Sequence, residues 1–192
     1  TNSDSENELD WSEVKKQQEK RLVLENKRKE AIKQTGSYKE TNYFDNDIKQ
    51  VLICENGILD EEWFQNDKRH REGDLPAIIY FYSNGDRVER WYKNGKRHRE
   101  GDLPARIYYF ANGEKKEEEW FQSGEKHRDG DLPAQIEYYD NKEIRFKKWF
   151  KNNELHRDGN EPAQINFYKN KEIESKMWYR NGELHREGDL PA

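Results

Sequence analysis

The sequence of 192 residues contains only one cysteine, Cys54, and one methionine. A single cysteine cannot form an internal disulfide, so nothing in the sequence indicates an oxidising compartment. No apolar run approaches the roughly 20 residues that span a bilayer. No short apolar segment follows a basic start either, so no signal peptide is visible. These absences predict an intracellular protein that is not secreted.

Apolar residues are also scarce. Hydrophobic residues make up 31% of the chain and charged residues 39%, and the mean hydropathy is -1.46. Globular domains usually contain roughly 45–50% apolar residues, with glycine counted among them. Such polarity is typical of disordered chains, but six tryptophans and eleven tyrosines argue against disorder. A thin, repetitive structure agrees with both observations.

An internal repeat runs from about Ile48 to Ala192. Each unit contains Trp followed by Phe or Tyr, His-Arg followed by Glu or Asp, and then Pro-Ala. The repeat tryptophans are 28, 29, 29 and 29 residues apart, and the five histidines and five prolines have the same spacings. The tryptophans are Trp63, Trp91, Trp120, Trp149 and Trp178, and the histidines are His70, His98, His127, His156 and His185.

Each unit also contains the turns and the alternation of a β-hairpin. Two turn positions per unit hold Asn, often followed by Gly as in Asn94-Gly95, and this pair favours the positive φ angles of a type I′ turn. Between the turns, apolar and polar residues alternate, so that Ala134, Ile136 and Tyr138 share one face of a strand.

Two strands in each of five units predict about ten antiparallel strands. The predicted fold is mainly β, an elongated single-layer antiparallel β-meander of tandem hairpin repeats in which each unit contacts mainly its neighbours. A closed barrel or a two-layer fold is the competing arrangement.

Residues 1–47 lack the repeat signature and are interpreted as an N-terminal helical cap or linker, separate from the array at 48–192. Asp10 and Glu13 have the spacing of a helix capping box. Good helix formers dominate as far as Gln34, and Gly36 follows at a plausible C-terminal cap. This helix is expected either to cover the open end of the sheet or to dock a partner.

The spacing of Trp91, Gly95 and His98 resembles the MORN repeat, a β-hairpin repeat with a W-x-x-G-x-x-H-G core. The units are still more similar to longer MORN variants with a W…NG…HR-[ED]-G…PA signature, which occur in large DNA viruses and in bacterial antitoxin-like proteins. This resemblance covers the array only. It implies a single-layer sheet that acts as a scaffold for protein association, sometimes proposed to touch phospholipid, with no catalytic residues. It also makes a virion or virus factory an expected location.

The recurring His-Arg-acid triplet matches the kinase catalytic-loop triplet at His127-Arg128-Asp129, but no glycine-rich phosphate loop or lysine strand accompanies it. No Ser, Thr or Cys recurs at a fixed offset from the histidines, so a catalytic triad is not indicated. Equivalent histidines lie two strands, about 9.6 Å, apart, too far to share a zinc ion. The sequence therefore predicts no enzyme activity, no metal and no cofactor. Each histidine is expected to hydrogen-bond the Gly-Asp-Leu-Pro backbone, and each arginine to pair with the acid that follows it.

The aromatic pairs supply the candidate binding surface. The tryptophans are expected to form the core on one face of the sheet, with the neighbouring Phe or Tyr ring on the opposite face. A single layer is not expected to bury both faces by itself, and exposed apolar strips mark interaction sites. The hypothesis is that a protein partner or a second copy docks on one face or open edge of the sheet, through the Trp stripe or the opposite Phe/Tyr stripe. The Phe/Tyr stripe is the candidate, and alanine there is expected to spare folding and abolish association. The stripe consists of Phe64, Tyr92, Phe121, Phe150 and Tyr179.

The net charge of the chain bears on whether its partner is a nucleic acid, a lipid or a protein. The chain has 35 basic and 40 acidic residues, a net charge of -5 and a pI of about 5.7. Nucleic-acid binders usually present a basic face, so no nucleic acid is expected. Attraction to anionic lipid needs a cluster of about four to eight basic residues, so charge argues against membrane binding too, and a peripheral phospholipid-binding module is the alternative only because the resemblance implies it. The sequence predicts a non-enzymatic scaffold that associates with protein partners or with itself.

Overall fold

The structure is a computed structural model that describes residues 37–55 and 58–186. These residues contain β-strands and no helix, which confirms a mainly β fold. Within the same ranges, no helix is long and apolar enough to cross a membrane. The helix expected between Asp10 and Gln34 lies outside the described residues.

Twenty strands form in the described residues. In chain order they are β1 (Tyr38–Phe44), β2 (Ile48–Glu55), β3 (Ile58–Gln65), β4 (Lys68–Arg69), β5 (Ile78–Phe81), β6 (Arg87–Arg90), β7 (Tyr92–Lys93), β8 (Lys96–Arg97), β9 (Arg106–Tyr109), β10 (Lys115–Glu119), β11 (Phe121–Gln122), β12 (Glu125–Lys126), β13 (Gln135–Tyr138), β14 (Ile144–Lys148), β15 (Phe150–Lys151), β16 (Glu154–Leu155), β17 (Gln164–Phe167), β18 (Ile173–Met177), β19 (Tyr179–Arg180) and β20 (Glu183–Leu184).

The longer strands build one main sheet in the order β1-β2-β3-β5-β6-β9-β10-β13-β14-β17-β18, with β4 added beside β3. Every pair is antiparallel and consecutive along this order. The predicted single-layer meander of hairpins is therefore confirmed. The sheet starts at Tyr38, ahead of the repeats, because β1 pairs with β2 from Tyr38↔Cys54 to Phe44↔Ile48.

In the second and later repeats, the chain leaves the main sheet at the tryptophan. The Trp91 N–H donates to the carbonyl of Ala105 at 2.8 Å, and the Trp91 carbonyl accepts from the His98 N–H at 3.2 Å. The residues between Trp91 and His98 form a separate two-stranded hairpin, β7-β8. We call β7-β8, β11-β12, β15-β16 and β19-β20 the side hairpins. The Trp-Phe pair thus lies at a junction, not inside the second strand.

The two turn positions differ in backbone conformation. In the side hairpins both central residues have positive φ, for example 51° at Asn94 and 83° at Gly95, as the type I′ prediction requires. In the turn between β5 and β6 of the main sheet, only the second residue, Gly85 with φ of 86°, is left-handed. There the Gly85 N–H donates to Tyr82 and the Tyr82 N–H donates to Asp86, both at 2.9 Å. This turn begins two residues before Asn84, so the type I′ prediction is wrong at this position.

Around β6 and β9 both faces of the main sheet are covered by its own side chains. Val88 and Glu89 are adjacent in β6 and so point to opposite faces, and Glu89 pairs with Ile107. Val88 is fully buried and Ile107 is 5% exposed. The Tyr108 ring packs on the Tyr82 ring, with centroids 5.2 Å apart.

Other strands of the main sheet carry exposed apolar side chains. Tyr43, Tyr80 and Ile173 are between 43% and 79% exposed. The expectation that a single layer leaves part of its apolar surface available therefore stays a prediction.

Candidate binding groove along the loop row

The His-Arg loops form a row beside the side hairpins, and we call residues 70–76, 98–104, 127–133 and 156–162 the loop row. From the second loop onward, each arginine connects its own loop to the preceding one. The Arg128 guanidinium donates to both carboxylate oxygens of Asp102 in the preceding loop, at 2.8 Å each, and lies 4.0 Å from the centroid of the Trp120 ring. The same pairing joins Arg99 to Asp74 and Arg157 to Asp131.

The roles of histidine and arginine differ from the sequence-based interpretation. The acid that follows Arg128 is Asp129, and it is paired with His127, whose Nε2 lies 3.0 Å from Oδ1. The arginine instead reaches back one repeat to Asp102 and also donates to the carbonyl of Pro133 in its own loop, at 3.5 Å. Both assignments were therefore wrong. The physical reason is that His and Arg are adjacent and point in different directions, one along its own loop and the other across to its neighbour.

The tryptophans are core residues that also fix the loops. Trp91, Trp120 and Trp149 are 6–7% exposed. The Trp120 indole N–H donates to the backbone carbonyl of Asp102 at 3.0 Å. A buried indole N–H usually finds such an acceptor, and here the acceptor lies in the preceding loop. Trp63 and Trp178, near the two ends of the array, are half-buried.

The Phe/Tyr stripe is not an open surface. Phe121 is 8% exposed and belongs to the buried cluster of Trp91, Ala105 and Ile107. Cations from the side hairpins lie over these rings, as Arg97 does at 4.4 Å from the Phe121 centroid. The other four stripe residues, Phe64, Tyr92, Phe150 and Tyr179, are half-buried.

The exposed large apolar residues lie elsewhere. Two of them occupy equivalent positions in the loop row: Leu103 is 41% exposed and Leu132 is 42% exposed. The sequence analysis did not single out either leucine, although both belong to the recurring Gly-Asp-Leu-Pro segment. The remaining exposed residues are Tyr43, Phe44, Tyr80, Tyr168, Ile173 and Leu184.

Two concavities occupy the same position in different repeats. The larger one, about 400 Å³, lies between loops 98–104 and 127–133, and we call it the central groove. Trp120 and Phe121 line it together with the two histidines, and Leu103 and Gln122 lie at its sides. A much smaller concavity, about 10 Å³, is lined by the equivalent residues of the fourth and fifth repeats, including Trp178, Tyr179 and Arg180.

Basic partners lower the pKa of several loop carboxylates. The hydrogen bond from Arg128 lowers the pKa of Asp102, and Arg157 lowers that of Asp131 in the same way. The hydrogen bond from Lys93, followed by that from His98, lowers the pKa of Glu100. At neutral pH the central groove therefore carries negative charge on its rim.

The residue two positions after each repeat tryptophan determines whether a lysine pairs with the exposed carboxylate of the loop. In the second repeat the Lys93 Nζ lies 2.7 Å from the Glu100 carboxylate, and in the fourth the Lys151 Nζ lies 3.4 Å from Asp158. The third repeat has Gln122 there. In the described part of the chain, Asp129 has His127 as its side-chain partner, and its side chain is 80% exposed. The sequences of the repeat units reveal the change from Lys to Gln at this position. They do not reveal that this residue lies beside the exposed acid of the loop.

The histidines also differ between repeats, both in the hydrogen bonding of Nδ1 and in the exposure of the ring. The Nδ1 of His70 accepts from the Asn94 N–H at 3.1 Å, and the Nδ1 of His156 accepts from the Asn181 N–H at 3.2 Å. The Nδ1 atoms of the central histidines, His98 and His127, are buried without a hydrogen-bond partner in the described residues. Their rings are also more exposed, at 23% and 24%, than those of the outer pair, at 7% and 8%. The central groove is thus the least completely packed part of the loop row.

Neither a scan against protein-family models nor a search of curated proteins found a match to this chain. The residues at 37–55 and 58–186 contain no group of three or more His, Cys, Asp or Glu side chains arranged to hold a metal ion. What the loop row offers chemically is ion pairing at its carboxylates and apolar contact at its leucines.

Proposed function

We propose that this protein is a non-enzymatic repeat scaffold that mediates protein–protein association in an assembly role, as the resemblance to MORN variants implies. The observation that carries the proposal is the recurrence of equivalent exposed positions along the loop row, such as Leu103 and Leu132, in repeats joined by the same arginine–aspartate pair. An array that presents equivalent contact positions at a constant spacing suits the binding of an extended partner. A large DNA virus is a setting in which such assembly proteins occur.

The features of the loop row support association more than catalysis. An active site needs a unique set of groups in defined roles. Here the titratable residues recur in every repeat and take part in structural pairs, such as Arg128 with Asp102 and His127 with Asp129.

Partner capture tests the proposal. The whole chain is used as bait in an extract of its source, with and without nuclease and detergent, and bound material is identified by mass spectrometry. A saturable protein partner that survives both treatments is the expected result, followed by reconstitution with the purified partner. Absence of any protein from all conditions, in repeated captures with chemical crosslinking, contradicts the proposal.

Peripheral binding to anionic lipid is the second candidate, and one observation favours it. Exposed basic residues lie on neighbouring hairpins of the first two repeats: Lys68, Arg69, Lys93 and Lys96. A Cβ added at Gly95 would lie 3.6 Å from the Lys68 Cβ, so the hairpins are in contact. Four cations reach the lower end of what anionic membranes require. Flotation with phosphatidylserine vesicles, lost in high salt, would favour this function.

A further inference from the structure

The second and fourth repeats provide an internal template for a ligand of the central groove. In each, a lysine two residues after the tryptophan neutralises the exposed acid of the loop, as Lys93 does for Glu100. The first and third repeats lack this cation, because Gln65 and Gln122 occupy the position, and the concavity of about 400 Å³ lies at the third repeat. A cation from outside can therefore take the place that lysine takes in the neighbouring repeats.

One exposed leucine, Leu103, lines the groove, and its counterpart Leu132 lies in the next loop. Leu103 and Leu132 are each about two-fifths exposed in adjacent loops. Adjacent loops are two strands apart, which corresponds to about 9.6 Å along the sheet. A polyproline II segment advances about 3.1 Å per residue, so three of its residues span about 9.3 Å. Its threefold symmetry also returns every third side chain to the same face, whereas a β-strand alternates every second residue.

We infer that the central groove binds an extended, polyproline II-like segment of a partner protein that places a lysine or arginine against Asp129. The apolar residues of the segment pack on Leu103 and Leu132. The inference rests on the proposed function, since it names the kind of segment that the protein partner presents. The buried rings of Trp120 and Phe121 form part of the groove wall, and the exposed contacts left for the segment are Leu103 and Asp129.

The test uses a peptide of four Lys-Pro-Pro units and the full-length chain, with binding measured by isothermal titration calorimetry or fluorescence anisotropy. We expect binding that weakens as salt is raised, because exposed ion pairs are screened. Two comparison peptides have either Glu in place of Lys or the same composition with the four lysines adjacent. We expect the first not to bind and the second to bind at least severalfold more weakly.

Two substitutions of Gln122 are expected to change the affinity for the Lys-Pro-Pro peptide in opposite directions. Gln122→Lys supplies the internal cation and should lower the affinity about tenfold, and Gln122→Glu should raise it severalfold. The fold tolerates lysine at this position in the second and fourth repeats. Ser83→Lys is the matched control, because it adds the same charge at an exposed turn at the opposite ends of the strands. Far-ultraviolet circular dichroism and the urea midpoint verify folding of each variant.

Three results would overturn the inference: no binding of the Lys-Pro-Pro peptide, equal binding of the peptide with adjacent lysines, or equal effects of Gln122→Lys and Ser83→Lys. These outcomes are separable from failure of the proposed function. If partner capture yields a protein whose binding is unchanged by Gln122→Lys, the scaffold function stands and the groove assignment falls. If capture yields no protein, the proposed function itself falls.

Discussion

Arg128 and Asp102 are 26 residues apart in the chain and form a two-bond ion pair, with Nε and Nη2 of the arginine each 2.8 Å from a carboxylate oxygen. The pair joins two consecutive loops, while the guanidinium also covers the Trp120 ring. Because the same contact recurs from Arg99 to Asp74 and from Arg157 to Asp131, neighbouring repeats are connected outside the main sheet as well as within it.

Replacing Arg128 by lysine should destabilise the array by about 1–2 kcal/mol. A lysine keeps the charge but cannot make the paired bonds to Asp102, donate at the same time to Pro133 or stack on Trp120. Urea unfolding followed by tryptophan fluorescence measures the change. Arg145→Lys is the control, because the Arg145 side chain is 56% exposed and pairs with Glu137 alone among the described ion pairs. Equal midpoints for the two variants would contradict the role assigned to Arg128.

Phe121→Ala should lower the free energy of unfolding by about 3 kcal/mol, because Phe121 lies in a buried cluster with Trp91 and Ile107. Phe150→Ala removes a half-buried ring and should cost clearly less. Comparing the two unfolding free energies distinguishes a core role for Phe121 from the exposed binding role predicted from the sequence. The binding role requires both variants to fold like the wild type.

Two glycines with the same backbone conformation should respond differently to alanine. Gly85 and Gly113 have φ of 86° and 85°, so alanine is strained at both. An added Cβ at Gly85 would lie 3.0 Å from the Ala111 Cβ, whereas at Gly113 it would meet nothing within 4 Å. Gly85→Ala should therefore be more destabilising than Gly113→Ala, by about 1 kcal/mol. Thermal unfolding of both variants measures the difference, and equal losses would show that the contact with Ala111 relaxes freely.

The stability of the sheet should decrease at alkaline pH. Burial, together with the negative charge of Glu89, raises the pKa of Tyr109 to about 12, and burial with the charge of Asp86 raises that of Tyr108 to about 12. Both pKa values exceed the ordinary tyrosine value of 10.0, so the folded state favours the protonated phenols. This contribution is complete below pH 10 and is lost as the pH rises towards 12.

Urea unfolding at several pH values, with tyrosinate absorbance recorded in parallel, measures the alkaline effect. Tyr109→Phe should lose about 1 kcal/mol near neutral pH, because the hydroxyl donates to Glu89 at 3.3 Å, and should lose less relative to the wild type as the pH approaches 12. Tyr168→Phe, at a side chain that is 49% exposed, should follow the wild type throughout. A constant difference between Tyr109→Phe and the wild type would refute the assigned cause.

Much of the fold follows from local patterns in the sequence. The repeat period, two main-sheet strands per unit, the antiparallel single layer and the type I′ turns at positions such as Asn94-Gly95 all agree with the structure. Turn residues and alternation act within a few residues, so their effects can be predicted without knowing the packing. The strand β1 was not predicted, because Tyr38–Phe44 has no counterpart in the repeat and gains its partner only from β2.

The candidate site, by contrast, depends on contacts between repeats. Composition and spacing showed that His, Arg and acidic residues recur together, but not that Arg128 reaches the preceding loop while His127 holds Asp129. They also did not show that both faces of the sheet are covered around β6 and β9, or that Gln122 lies at an open groove. A sequence pattern specifies backbone geometry over one hairpin, whereas the direction of each long side chain is decided by the neighbouring hairpin, about one repeat away.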